Sequence, residues 1–247
     1  MQKPIIELHN VSKTFRIREK NSDSIKEKIK NLFSRGNGLR NIQALKNINL
    51  KVEKGDFIGI IGHNGSGKST LLKIILGVLP PDNGGNVISR GRMIRLALGM
   101  GFDPNLTARD NIYVNGTILG LTFKQIGEQF DDILNFAELT EFVDTPIKFF
   151  SSGMVSRLAF SVAMHVDADV LLIDEFFGGV GDQNFRAKSN KVFKSAFLDG
   201  RTIVFVSHNL PTIKQYCNKV AILKEGEMIC FDETSKALNV YSEKYSN

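Results

Sequence analysis

Apolar and polar side chains alternate over residues 4–11, with Ile6, Leu8 and Val11 apolar, and again over Ile48-Asn49-Leu50-Lys51-Val52. A period near two predicts half-exposed strands. Lys54-Gly55-Asp56 then turns the chain into Phe57-Ile58-Gly59-Ile60-Ile61, an apolar run of strand length that reads as buried on both faces. Leu71-Leu72-Lys73-Ile74-Ile75 predicts a helix running to about Gly77-Val78, and Pro80-Pro81-Asp82-Asn83-Gly84-Gly85 stops it. Short strands follow through Ile88 and Ile94 to Leu98. From Thr107 to about Val166 the pattern is helical: Thr107 and Asp110 have capping-box spacing, and Ile126, Phe130, Ile133, Leu134 and Phe136-Ala137 recur every three or four residues. Thr145-Pro146 separates this stretch from a last helix beginning near Gly153. Val170 to Asp174, Thr202 to Ser207 and Val220 to Leu223 are further strand candidates, with a helical segment from Gln183 to Phe197 between the first two. The alternation predicts an α/β fold with a mostly parallel sheet, an antiparallel β edge and an inserted helical subdomain.

Composition narrows this little. With 247 residues, 42% of them hydrophobic, the chain can bury a sizeable core. It reads as one domain over 1–247, with a core over 1–100 and 167–235 and helices over about 103–166. No apolar run reaches signal-peptide or membrane-spanning length, so the expectation is a protein neither secreted nor membrane-spanning. Cys217 and Cys230 stand alone, which suits reduced, mostly buried thiols and the cytoplasm.

Charge changes the picture more. The net charge is +6, and between Arg16 and Arg40 eight bases face three acids. Within an insert of about 19–40, Ser24 and Glu27 form a capping box, while Ile25, Ile29, Leu32 and Phe33 share a face flanked by Lys26, Lys28 and Lys30. Such a basic amphipathic helix either meets anionic headgroups or an acidic substrate head, or packs its apolar face on its own domain.

The chemistry begins at Gly62-His63-Asn64-Gly65-Ser66-Gly67-Lys68-Ser69-Thr70, a G-x-x-x-x-G-K-S phosphate loop between the buried strand and the helix. Its glycines let successive N–H groups turn inward on phosphate oxygens, and the helix adds the positive end of its dipole. Lys68 would bridge the β- and γ-phosphates of a nucleoside triphosphate and Ser69 would ligate Mg²⁺. Val170-Leu171-Leu172-Ile173-Asp174-Glu175 ends an apolar strand in two carboxylates. Asp174 is placed to reach the metal, usually through water, and Glu175 to act as general base on the attacking water.

With Phe150-Ser151-Ser152-Gly153-Met154 before a helix, and Val206-Ser207-His208 after the acidic strand, this order of motifs resembles the nucleotide-binding domain of ABC ATPases. Ser151 to Met154 looks like their signature sequence, with Ser152 where glycine is commoner and Met154 where glutamine is. The resemblance implies ATP and Mg²⁺ as cofactors, and a head-to-tail dimer in which Ser151, Ser152, Gly153 and Met154 of one copy close over the γ-phosphate held by another. It makes His208 the switch histidine at the γ-phosphate. Phe15 either stacks on adenine, as the family's aromatic does, or packs in the core. Two departures stand out. Met100-Gly101-Phe102-Asp103 lies where most ABC domains carry a glutamine, and the path from Glu175 to Asp182 is one residue longer than usual.

Gly101-Phe102 with Pro104, Leu106-Thr107, Asn111-Ile112, Phe136-Ala137-Glu138-Leu139, Pro146, Arg157-Leu158-Ala159-Phe160 and Val180-Gly181-Asp182 resemble one branch, the ATPases that export O-antigen, capsule or teichoic acid chains. The branch also lacks the glutamine; Ala108 replaces its usual glycine. Longer members add a C-terminal carbohydrate-binding domain, for which this chain, ending at Asn247, has no room, so sugar specificity is expected mainly elsewhere. The resemblance implies a homodimeric ATPase at the cytoplasmic face of the bacterial inner membrane. It would be paired with a separate transmembrane permease and in reach of anionic lipid headgroups or a lipid-linked glycan, with no nucleic acid as partner. The rival readings are an ABC ATPase for lipid or drug, a soluble ABC protein acting on nucleic acid, and a P-loop kinase, which would leave Ser151 to Met154 unexplained.

Overall fold

The computed structural model describes residues 3–18, 39–96, 101–174, 185 and 201–245. The basic segment expected at 19–40 lies almost wholly outside these residues, as do Glu175, Asp182 and nearly all of the helix expected over Gln183 to Phe197.

The alternating segments form a ribbon. β1 (Ile6–Arg18) pairs antiparallel with β2 (Leu39–Val52), setting Ile6 opposite Val52 and Leu8 opposite Leu50. The other edge of β1 takes β4 (Asn86–Ser89), also antiparallel. β1 runs well past the expected 4–11 because register shifts between Leu8 and Thr14 interrupt its alternation, and each bulge moves the apolar positions to the other face.

The apolar run becomes β3 (Phe57–Ile61), buried at every residue. It lies at the centre of a six-stranded sheet with β5 (Met93–Leu96), β6 (Val170–Asp174), β7 (Thr202–Val206), β8 (Lys219–Lys224) and β9 (Glu227–Glu233), in the order β5-β6-β7-β3-β8-β9. Neighbours from β5 to β8 are parallel, and β9 closes one edge antiparallel to β8.

Side chains leaving these strands sort by the two-residue period into two cores. Ile58, Ile60, Val170, Leu172, Val204, Val206, Ala221 and Leu223 face the antiparallel ribbon and α1 (Lys68–Ile75). Phe57, Ile61, Leu171, Ile173, Ile203, Phe205, Val220 and Ile222 face the other way. There they join apolar residues of α2 (Ala108–Ile118), α3 (Phe123–Ala137) and α4 (Ser152–Met164), all inserted between β5 and β6, together with α5 (Leu210–Tyr216) and α6 (Thr234–Tyr245). Burying one such side chain contributes about 1.5–3 kcal/mol.

The helix boundaries follow local chemistry. Thr107 and Asp110 form the expected capping box, and Thr122 with Gln125 forms a second at the start of α3. β9 and α6 were not expected: β9 mixes polar and apolar residues as an edge strand does, so its pattern is weak.

At the end of β3 opposite the phosphate loop, buried Asp56 ties three strands together. One carboxylate oxygen accepts from the Glu53 N–H at 3.0 Å and Lys219 Nζ at 2.8 Å, and the other from Asn218 Nδ2 at 3.1 Å. Asn218 Oδ1 in turn accepts from the Phe57 N–H at 2.9 Å, while the Asp56 carbonyl accepts from Ile203 N–H at 2.9 Å. Asp56→Ala leaves these donors without an acceptor, and although the exposed Asn218 and the half-buried Lys219 and Glu53 keep some access to water, it is expected to cost about 2 kcal/mol of stability in urea unfolding. Asp56→Asn, which preserves an acceptor and the size, should cost clearly less.

Candidate functional site

The phosphate loop is built by the sequence around it. β3 delivers Gly62 in the buried plane of the sheet, and three loop glycines take positive φ: 151° at Gly62, 82° at Gly65 and 106° at Gly67. A Cβ on Gly62 would lie 2.2 Å from the Leu223 carbonyl oxygen, and one on Gly67 would lie 2.5 Å from the Ala44 carbonyl oxygen. The loop is therefore pressed against backbone on two sides. Its third support is the turn between β8 and β9, whose Gly226 N–H donates to the Ser66 carbonyl at 3.1 Å while its own carbonyl accepts from Lys46 N–H at 2.7 Å. The short Glu225-Gly226 turn is the signal for this brace in the sequence.

Lys68 is only 8% exposed, and its Nζ donates back to the Gly62 and His63 carbonyls at 2.8 and 2.9 Å. His63, Asn64, Gly65 and Ser69 are exposed, Thr70 is half-buried, and Ser66 is buried. Gly67 caps α1 with no side chain to satisfy the first N–H groups of the helix. That uncapped, positively polarised terminus, with a lysine folded beside it and no acid in its first turn, fits a polyphosphate. Ser69, exposed in the same turn, offers a hydroxyl of the kind Mg²⁺ accepts.

Strand order brings the other groups to the same edge. β6 is separated from β3 by β7 alone, and in register Asp174 pairs with Val206, which pairs with Ile60. The Asp174 backbone thus lies about 10 Å from that of Ile60 across two strand spacings. His208 follows directly: Ser207 N–H donates to the Ile60 carbonyl at 3.3 Å, Ser207 Oγ accepts from Asn209 N–H at 3.0 Å, and Asn209 Oδ1 caps α5 through Thr212 N–H at 3.1 Å. This weld fixes the exposed His208 at the C-terminal edge of the parallel sheet, where such folds bind ligands.

Ser151 to Met154 belongs elsewhere. Ser151 is the N-cap of α4, its Oγ accepting from Met154 N–H at 3.2 Å, and α4 packs on α3 and α2 of the helical insertion. Ser151 and Ser152 are exposed, Gly153 and Met154 half-buried. Phe15 sits half-buried on the ribbon opposite Ile42, and is not among the side chains that build either core. Of the stretch lacking the glutamine, Met100 is outside the described residues, while Phe102 packs against the core and Asp103 N–H donates to Asn111 Oδ1 at 2.8 Å. Burial pushes the Cys217 thiol well above its ordinary pKa, so it is inert packing rather than a nucleophile.

The glycines can be told apart by substitution. Gly65→Ala meets nothing within 4 Å and should cost only about 1 kcal/mol of left-handed backbone strain. Gly67→Ala adds a collision with the Ala44 carbonyl. It is expected to weaken binding of a fluorescent ATP analogue at least tenfold more than Gly65→Ala does, read by titration at equal folded fraction.

Known proteins resemble this chain in both sequence and fold. The family described as ABC transporter matches residues 45–178, which include the phosphate loop, Ser151 to Met154 and Asp174. An O-antigen export system ATP-binding protein of Myxococcus xanthus is 44% identical over 205 residues, covering 83% of this chain and 47% of that protein. One of Klebsiella pneumoniae is 37% identical over 244 residues, covering 97% of this chain and 98% of that protein. A teichoic acids export ATP-binding protein of Lactiplantibacillus plantarum is 38% identical over 237 residues, covering 96% and 64%. The chain thus spans about half the Myxococcus relative and under two thirds of the Lactiplantibacillus one. Among solved structures, a dimeric bacterial ABC transporter cassette superposes with a TM-score of 0.69 at 25% identity, covering 93% of this chain and 98% of that one. With a glycine-braced phosphate loop, an acid-tipped strand two places along the sheet and a serine-capped helix in the insertion between them, all inside the matched segment, the chain belongs to the ABC transporter family.

Proposed function

We propose that this protein is the ATP-hydrolysing subunit of an exporter that moves a lipid-linked polysaccharide, of O-antigen, capsule or teichoic acid type, across the cytoplasmic membrane. The observation that carries the reading is a separation within one chain. The phosphate loop, Asp174 and His208 share one sheet edge, while the exposed N-terminus of α4 at Ser151 sits on the helical insertion. A second copy, arranged head to tail, would bring Ser151 to Met154 over the γ-phosphate that the first copy holds. The relatives' names support the transport assignment and the class of cargo. The dimeric state of the structural neighbour supports the pairing.

In this mechanism the N–H groups of residues 62–70 and Lys68 would hold the β- and γ-phosphates of ATP, Phe15 would stack on adenine, and Ser69 with Asp174 would hold Mg²⁺. When bound, Mg²⁺ neutralises charge on the transferred phosphoryl group. Glu175 takes the proton of the attacking water and His208 holds that water in line. The Ser151 hydroxyl and the first N–H groups of α4 in the second copy stabilise charge on the γ-phosphate oxygens. ATP binding closes the dimer and hydrolysis reopens it.

The whole chain acts as one ABC domain, with the helices over about 103–166 passing motion to a separate permease. A groove of about 760 Å³ between α2 and α3 offers the surface, lined by Tyr113, Val114, Thr117, Ile118 and Phe123. Val114 is 37%, Ile118 52% and Phe123 68% exposed, an apolar patch whose burial against a partner would be favourable. No helix among the described residues is long and apolar enough to cross a membrane. The basic insert at 19–40 would meet anionic headgroups or the polymer's lipid-linked head at the cytoplasmic face, and no nucleic acid is required.

Three outcomes test this. Glu175→Gln should bind MgATP with unchanged affinity, accumulate as a dimer in size-exclusion chromatography and lose at least about 100-fold in turnover, the scale of a general base. Full turnover in that variant refutes the assignment of Glu175. Ser151→Ala mixed with Lys68→Ala should recover one functional site per heterodimer, and failure of the mixture to exceed either parent would count against sites shared between copies. Inactivating the chain in its host should leave lipid-linked polymer inside the cell, and unaltered surface polymer would overturn the cargo.

A further inference from the structure

The helix carrying most of the groove is held at both ends by side chains that the site itself does not use. At its start, buried Asn111 donates through Nδ2 to the carbonyls of Asp103, Leu106 and Thr107 at 3.1, 3.1 and 2.9 Å, and accepts from Asp103 N–H at 2.8 Å. The loop before α2 and the helix are thereby one unit. At its end, Arg92 Nη2 donates to the Leu119 and Gly120 carbonyls at 3.1 and 2.6 Å. These are carbonyls the helix leaves without an internal partner, and a cation there also meets the negative end of the dipole.

Arg92 is at the same time bonded to the strand that delivers Asp174. Its carbonyl accepts from the N–H groups of Asp169 and Val170 at 2.9 and 3.1 Å, and its own N–H donates to Asp169 Oδ2 at 2.8 Å. One residue therefore grips the C-terminus of α2 with its side chain and the N-terminus of β6 with its backbone. Two glycines make room for it. A Cβ on Gly120, at φ 85°, would lie 2.8 Å from Arg92 Nη2, and one on Gly91, at φ 80°, would lie 2.6 Å from Asp169 Oδ2. From Arg92, β6 runs about 13 Å to Asp174, bonded on both edges to β5 and β7, so it moves as a stiff rod.

We infer that Arg92 is a positioning residue that couples the groove to the nucleotide site, transferring displacement between α2 and β6. The inference rests on the reading of that groove as the face that meets the permease. Asn111 keeps the first turn of α2 rigid, and Arg92 is the polar link that can be cut without disturbing the apolar packing beneath. The physical warrant is a continuous bonded path between two sites rather than proximity alone.

The test uses the isolated chain with an environment-sensitive dye on Thr117→Cys, a groove residue, in a Cys230→Ser background. Addition of a non-hydrolysable ATP analogue with Mg²⁺ should change the dye signal when Arg92 is intact. At equal nucleotide occupancy, Arg92→Ala should reduce that change at least fivefold, and Arg92→Lys, which keeps a cation at the helix end, should restore part of it. Gly120→Ala, which displaces the guanidinium without removing it, should reproduce the loss and carries the test should Arg92→Ala fail to fold. A full response in Arg92→Ala or in Gly120→Ala, or no response with Arg92 present, overturns the proposal. Failure of the permease reading shows separately, as a wild-type chain with which no membrane-spanning protein co-purifies, and leaves the dye measurement untouched.

Discussion

The parallel ladder about β3 is the constraint on which the rest depends. β3 pairs with β7 on one side and β8 on the other, and every one of its residues is buried. Because its side chains alternate between two faces, a five-residue strand anchors both cores at once: Ile58 and Ile60 hold the ribbon and α1, Phe57 and Ile61 the helical insertion and α5. The same ladder fixes the chemistry. Its C-terminal end is the beginning of the phosphate loop, and its register sets β7, and through β7 the tip of β6, at the loop's side.

Polar groups act where this apolar framework has joints. Asp56 and Asn218 lock the far end of the sheet, Gly226 and Lys46 brace the phosphate loop from the ribbon side, and Ser207 with Asn209 fixes the turn that presents His208. Arg92 and Asn111 do the same for α2. Most of them meet backbone groups at a chain reversal or a helix end, where the ladder or helix supplies no partner of its own. The helical insertion is thus attached to the sheet by a common apolar core and by a small number of directional bonds. The apolar contact tolerates sliding; the directional bonds decide where the helices stand.

Much of this was legible in the chain. The order of buried strand, glycine loop and helix was evident from Phe57 to Ile75, and the caps at Thr107 and Ser151 from residue type and spacing. β9 and α6 were missed because an edge strand and a terminal helix bury little and so carry little pattern, and β1 was cut short because its bulges break the alternation. Arg92 gave no signal at all. An arginine at the start of a strand is ordinary until a helix from a distant part of the chain ends against it.

By itself the sequence determined the local chemistry: which backbone must curl at Gly62, Gly65 and Gly67, where helices begin, and which residues carry hydroxyl, ammonium and carboxylate groups. These follow from short-range sterics and hydrogen bonding, which a window of a few residues contains. Only the tertiary structure decided the strand order that sets Asp174 and His208 beside the loop while leaving Ser151 on the helical insertion, and the close approach of Ala44 and Leu223 that makes Gly67 and Gly62 indispensable. Those depend on pairing between segments far apart in the chain, where the hydrophobic pattern says that a strand is buried but not which strand lies next to it.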